Sequence, residues 1–138
     1  MRLEPEEALR RAAMADHGIL ATLHESRGAD LVPACFVIDG DWLAIPIDDV
    51  KPKSTTRLGR LRNLERDPRA TLLVERWDRE DWGRLWWVRL SLRRAEAPVE
   101  LLPRLERGLR ARYPQYASAA FVELLAFRIE DVQGWSAS

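Results

Sequence analysis

The 138-residue sequence predicts a mainly β fold: six short strands in an antiparallel barrel, closed or partly closed, with about three flanking helices. Three observations carry this. Short apolar stretches of strand length alternate with turn sequences such as Asp39-Gly40-Asp41. The connections between them are too short for parallel crossovers. Only three segments repeat apolar residues at helical spacing.

Taken in order, residues 4–16 read as the first helix. Pro5 fits its first turn, where a missing N–H costs nothing, and Glu4, Glu6 and Glu7 complement the positive end of the helix dipole. Leu9, Ala12 and Ala13 form a narrow apolar stripe, and Gly18 ends the segment or opens the next. Residues 18–23 form the first strand and 31–38 the second, with Pro33 marking an edge or a bulge. Residues 42–47 form the third. A helix over 54–65 follows, capped by Ser54 or Thr55 and stopped by Asp67-Pro68, because the residue before proline avoids helical geometry. Strands over 70–77 and 86–96 are joined by the hairpin Trp77-Asp78-Arg79-Glu80-Asp81-Trp82-Gly83-Arg84-Leu85. A third helix runs from after Pro98 to about 112, with Pro103 near its first turn, and a last strand covers 121–129. The whole chain, 1–138, reads as one domain with no repeat or linker.

Composition narrows function. Lys+Arg and Asp+Glu are both 22, so the molecule as a whole exerts no pull on nucleic acid or anionic lipid, and an anion site has to be local. A single cysteine, Cys35, excludes an intrachain disulfide and fits a reducing compartment. No apolar run approaches the roughly 18 residues of a membrane span, and the charged N-terminus is unlike a signal peptide. The expectation is a cytoplasmic protein with neither membrane nor nucleic-acid partners.

The strongest local feature is the cation-rich stretch 51–70. On a helix, Lys53, Arg57 and Arg60 share one side, bordering the apolar stripe Leu58, Leu61, Leu64, whereas Arg62 and Arg66 project to the far, solvated face. The first three therefore emerge where helix meets sheet. Lys51 and Ser54 lie in the loop before it, and helix-start N–H groups attract anions. A phosphate here would meet loop, helix start and helix side, with arginine supplying a planar fork. Basic residues beside an apolar stripe also snorkel without a ligand, and some pair with Glu65, Asp67 or Glu75. Both readings stay open from periodicity alone.

The order of motifs resembles a known family. Asp39-Gly40-Asp41, a strand, Lys51-Pro52-Lys53, the helical Arg60-Leu61-Arg62-Asn63-Leu64, then Asp67-Pro68-Arg69 and the strand Thr71-Leu72-Leu73-Val74 are similar to the pyridoxamine 5'-phosphate oxidase-like superfamily. Asp81-Trp82-Gly83-Arg84-Leu85-Trp86-Trp87-Val88-Arg89, Tyr113-Pro114-Gln115-Tyr116 and Val132-Gln133-Gly134-Trp135 resemble its branch assigned to the deazaflavin coenzyme F-420. The resemblance implies a six-stranded split β-barrel of the FMN-binding type. It also implies an obligate homodimer with cofactor grooves at the interface, and oxidoreductase activity on a small organic substrate. Lys51, Lys53, Ser54, Arg57 and Arg60 match positions that hold the cofactor phosphate in relatives. Sister branches use FMN, so FMN is the alternative cofactor. A cofactor-binding or carrier protein without turnover is a further alternative. FMN carries one phosphate, whereas coenzyme F-420 carries a phosphodiester and a glutamate tail, and a row of cations suits the longer anion. The turn Glu25-Ser26-Arg27-Gly28-Ala29-Asp30 departs from the Gly-Arg-Pro type common among relatives.

The tryptophans need placing. A strand puts Trp86 and Trp87 on opposite faces, one inward and one towards a dimer partner or the cofactor ring. Trp86 and Trp135 are the candidate ring contacts, Trp135 as a cover for the ring of the partner subunit; core or interface packing is the competing role for each. Cys35 reads as an inert thiol in a strand. His17 and His24 lack a Ser/Asp arrangement, and no paired histidines or Cys-x-x-Cys point to a metal. No catalytic acid or base is assigned. No glycine-rich nucleotide fingerprint is present, which removes Rossmann-type nicotinamide binding. A flavin-type cofactor carries hydride chemistry itself, so an enzyme of this kind needs no acid–base motif.

Overall fold

The computed structural model describes residues 1–48, 55–117 and 121–138, without the side chains of 48, 55–58, 121 and 122. The first helix, α1 (Pro5–Met14), opens with Pro5 in its first turn and Glu6 and Glu7 beside the N-terminus. Then follow β1 (Gly18–Leu23), β2 (Ala29–Ala34), β3 (Val37–Asp39), β4 (Trp42–Asp48), α2 (Thr55–Arg66), β5 (Arg69–Arg76), β6 (Trp86–Arg94), α3 (Leu102–Arg112) and β7 (Phe121–Ser136). Three single-turn 3-10 helices interrupt the loops. In the hairpin between β5 and β6, the Asp81 carboxylate caps one of them by accepting from Gly83 N–H at 3.0 Å.

All strands join one antiparallel sheet in the order β2-β1-β5-β6-β7-β4-β3, curled into a half-barrel consistent with a split barrel. The sheet has seven strands, not the six expected. The stretch read as one strand over 31–38 breaks at Cys35-Phe36 into β2 and β3. These two pieces pair with different neighbours, β1 and β4, at opposite edges of the sheet. The reason is local hydrogen bonding. At the break the Phe36 N–H donates to the Tyr113 hydroxyl (3.1 Å), which in turn donates to the Asp16 carbonyl (2.9 Å). A side chain thus satisfies backbone that a continuous strand would have paired. Pro33, as expected, lies on an edge strand.

The last strand also exceeds its predicted end. β7 pairs with β4 along its first part and with β6 along its second, from Phe127 to Ser136, with a bulge opposite Ser91/Leu92. Its polar middle, Glu130-Asp131, hid that continuity from hydropathy.

Inward side chains of the strands form the main core with Ala8 and Ala12 of α1, Leu64 of α2 and the fully buried Phe36 and Phe127, β3 contributing only the partly buried Ile38. A smaller cluster, Val37, Ala44, Leu105 and Leu109, seats α3 on the opposite face of β3 and β4. α1 lies very close to β7: a Cβ on Gly134 would stand 3.0 Å from the Ala8 Cβ. The end of α3 secures α1. Arg112 donates to the carbonyls of Ala13 and Ala15 and lies 5.2 Å from the Phe36 ring centre.

Tyr113→Phe keeps the ring and its edge contact with Tyr116 but deletes the bonds at the break. The expected loss is about 1–2 kcal/mol, seen as a lower urea midpoint at unchanged slope. An unchanged midpoint would show that water replaces the phenol.

Candidate functional site

α2 sits as its apolar spacing requires. Leu61 and Leu64 pack into the main core. Arg60, one turn before the buried Leu64, is half-buried with its Nε shielded from solvent, whereas Arg62 is exposed. Lys51, Lys53 and Ser54 lie outside the described residues, as do the side chains of Arg57 and Leu58. Arg66 was expected only to be solvated, yet its guanidinium donates to the Leu23 carbonyl at the end of β1.

A buried polar cluster, which hydropathy did not reveal, lies beside this contact. Asn63 Nδ2 donates to Thr22 Oγ1 at 3.0 Å and to Asp30 Oδ2 at 2.9 Å, and Asn63 and Thr22 are each 2 % exposed. Asp30 also pairs with Arg27 at 3.0 Å. The Asn63 bond, and then Arg27, hold the Asp30 carboxyl below its usual range. One sequence signal existed: asparagine is a poor helix former, and here it stands between two stripe leucines, one turn after Arg60. His24 is a turn-maker, its Nδ1 accepting from Ser26 N–H at 3.1 Å.

The tryptophans divide between the faces. Trp86 packs against the core, with the Arg11 guanidinium 5.7 Å from its ring centre. Trp87 points outward. Glu75, Trp87 and Trp135 form one cross-strand row on the outer face, and Leu73, Arg89 and Gln133 the next. Arg89 lies 5.5 Å from the Trp87 ring centre and donates to Gln133 Oε1. An open groove of about 590 Å³ runs over Leu73, Glu75, Trp77, Trp87 and Arg89, and Trp86 also lines it. No described element covers this outer face, and Leu23, Leu31, Leu73 and Trp135 remain exposed on it. The fold therefore brings Trp87, not Trp86, together with Trp135. It does not bring either near Arg60: the row of Thr22 and Ala70 is five residues of strand from the row of Glu75 and Trp135, about 17 Å.

Among the described residues no group of His, Cys, Asp and Glu could hold a metal ion. No described helix is long and apolar enough to cross a membrane. Cys35 is half-buried at the β2–β3 break.

No family model matches the chain, and no curated protein sequence matches it. Solved structures match over nearly all of it. A conserved hypothetical protein from Mycobacterium tuberculosis superposes with a TM-score of 0.72 at 18 % identity, covering 98 % of this chain and 86 % of that one. An FMN-binding protein from Syntrophomonas wolfei gives 0.69 at 14 % identity, covering 96 % and 88 %. A FAD-binding protein from Mesorhizobium loti gives 0.63 at 13 % identity, covering 97 % and 93 %. A heme binding protein from Mycobacterium smegmatis and a heme storage protein from Vibrio cholerae share the same architecture. At these identities the likeness shows the fold: that of the pyridoxamine 5'-phosphate oxidase-like, FMN-binding split-barrel structures.

Where α2 ends, the Asp67 carboxylate accepts from the Arg69 N–H at 3.1 Å and pairs with the Arg69 guanidinium at 2.7 Å. The Arg69 side-chain bond, then the backbone bond, lower its pKa from 3.8 to about 2. A lowered carboxylate stabilises the fold above its unfolded pKa, and that contribution disappears as pH falls through the folded one. Asp67→Asn should therefore leave a melting curve that depends less on pH between about 4 and 2. An unchanged pH profile would remove Asp67 from the acid response.

Proposed function

We propose that this chain is a homodimeric oxidoreductase of the cytoplasm that binds a flavin-type cofactor, coenzyme F-420, in grooves between its two copies. The observation that carries this is the uncovered outer face of the split barrel, floored by Leu73, Trp87 and Trp135. An aromatic, apolar floor suits a flat tricyclic ring. The seam suits the phosphate end: Arg60 is held there half-buried, on the side of α2 where Lys53, Arg57 and the preceding Lys51 and Ser54 are placed by sequence. Within one copy, the two ends of such a site stand about 17 Å apart along the strands. Trp135 then covers the ring bound against the other copy, which makes the dimer part of the site.

When bound, the cofactor supplies hydride transfer to a small organic acceptor; the chain's residues bind it, orient it and exclude water. Trp86, which packs against the core and also lines the groove, is the further candidate ring contact beside Trp135. The extended row of cations favours the phosphodiester and glutamate tail of F-420. FMN is the rival, supported by the FMN-binding neighbour, and a carrier without turnover uses the same contacts.

The purified protein is expected to be colourless and to melt several degrees higher with F-420 than with FMN at equal concentration. Copurified yellow FMN would overturn the deazaflavin preference, and no shift with either would overturn both readings. Replacing Lys53 and Arg57 together by Ala should weaken cofactor binding at least about tenfold. Unchanged affinity would place the grip elsewhere. Oxidation of reduced cofactor only in the presence of an acceptor separates enzyme from carrier.

A further inference from the structure

We infer that Asn63 is a positioning residue that sets the seat of α2, and with it the reach of Arg60 towards the cofactor phosphate. This rests on the reading that Arg60 meets that phosphate. The geometry is unusual for a helix side chain. The amide spends both N–H donors across the gap to the sheet, one on β1 through Thr22 and one on β2 through Asp30. These acceptors are buried or partly buried, so water does not readily replace the amide. The two acceptors sit on neighbouring strands of the β1–β2 hairpin and form one cross-strand pair, Thr22 opposite Asp30. A single amide thus fixes the helix against both strands at once.

Leucines alone would not do this. Leu61 and Leu64 attach α2 to the core, but apolar contacts tolerate sliding and rotation far better than a two-donor hydrogen bond does. Arg66 adds a second tether to the same strand end through the Leu23 carbonyl. Arg60 lies one turn before Asn63, so a small rotation of α2 about its axis would swing the guanidinium out of the seam. The role is indirect: Asn63 touches neither ring nor phosphate and acts through the orientation of the helix.

The test compares each cofactor with its phosphate-free core: FMN with riboflavin, and F-420 with its deazaflavin alcohol, by titration calorimetry on the full chain. The wild-type protein is expected to favour the phosphorylated form by about tenfold or more. Asn63→Asp places a second carboxylate against Asp30 and should reduce that preference severalfold while binding the phosphate-free core as before. Asp30→Asn/Asn63→Asp restores a donor–acceptor pair with its polarity reversed and should recover the preference.

A merely structural role would weaken both forms equally, and that result overturns the inference. So does an unchanged preference in Asn63→Asp. Should Asn63→Asp fail to fold, the folded double variant decides: a lost preference there, despite the rebuilt contact, also overturns it. A wild-type protein that binds a cofactor but ignores its phosphate overturns the Arg60 reading and this inference together. A wild-type protein that binds no cofactor defeats the proposed function itself.

Discussion

The two edges of the sheet, β2 and β3, are joined by only Cys35 and Phe36, so the chain must turn sharply between the first and the last positions in the hydrogen-bonding order. Everything else in the barrel depends on that turn staying in place. It leaves backbone groups without strand partners in a part-buried place, and one phenol answers them. Tyr113 reaches the turn from the end of α3, and its neighbour Arg112 ties the same point to the end of α1. Three parts distant in sequence, α1, the β2–β3 break and α3, converge on two adjacent residues. The sheet can then curl around Phe36 and Phe127 with one face filled and the other left bare over β1, β5 and β6.

How much of this could be read beforehand follows from the kind of interaction responsible. Helices and most strand positions follow from spacing, caps and turn residues, which are local, and they lie within a few residues of expectation. The break at Cys35-Phe36 was not legible, because nothing local requires it; its cause is a tyrosine 77 positions away. The far half of β7 was hidden for a similar reason: Glu130 and Asp131 read as loop, yet Asp131 pairs with Ser91 of β6 and Glu130 falls at the bulge beside it.

The site divides the same way. Helical geometry correctly separated Arg60 from Arg62, since the leucine stripe alone fixes which side faces the sheet. It did not find the Asn63 amide or the Arg66 tether, because hydrogen bonds to another element leave no periodic trace. Nor did it decide between Trp86 and Trp87, whose faces are set by pairing register with β5 and β7. Register is a tertiary quantity, and a one-residue slip would exchange the two rings.

The edges carry a consequence for how copies of this chain can meet. An open sheet edge is a template on which further strands could add without limit. Here one edge is β2, where Pro33 has no N–H to offer, and the other is β3, only three residues long and ending in Asp39, whose carboxylate is engaged by Arg104 at 2.8 Å. Both edges are poor templates. The apolar surface lies instead on the flat of the sheet, where contact between two molecules uses up the surface that made it. Self-association through that face, where it occurs, would close at two, whereas growth into fibres along the edges is disfavoured by the strands that flank the corner.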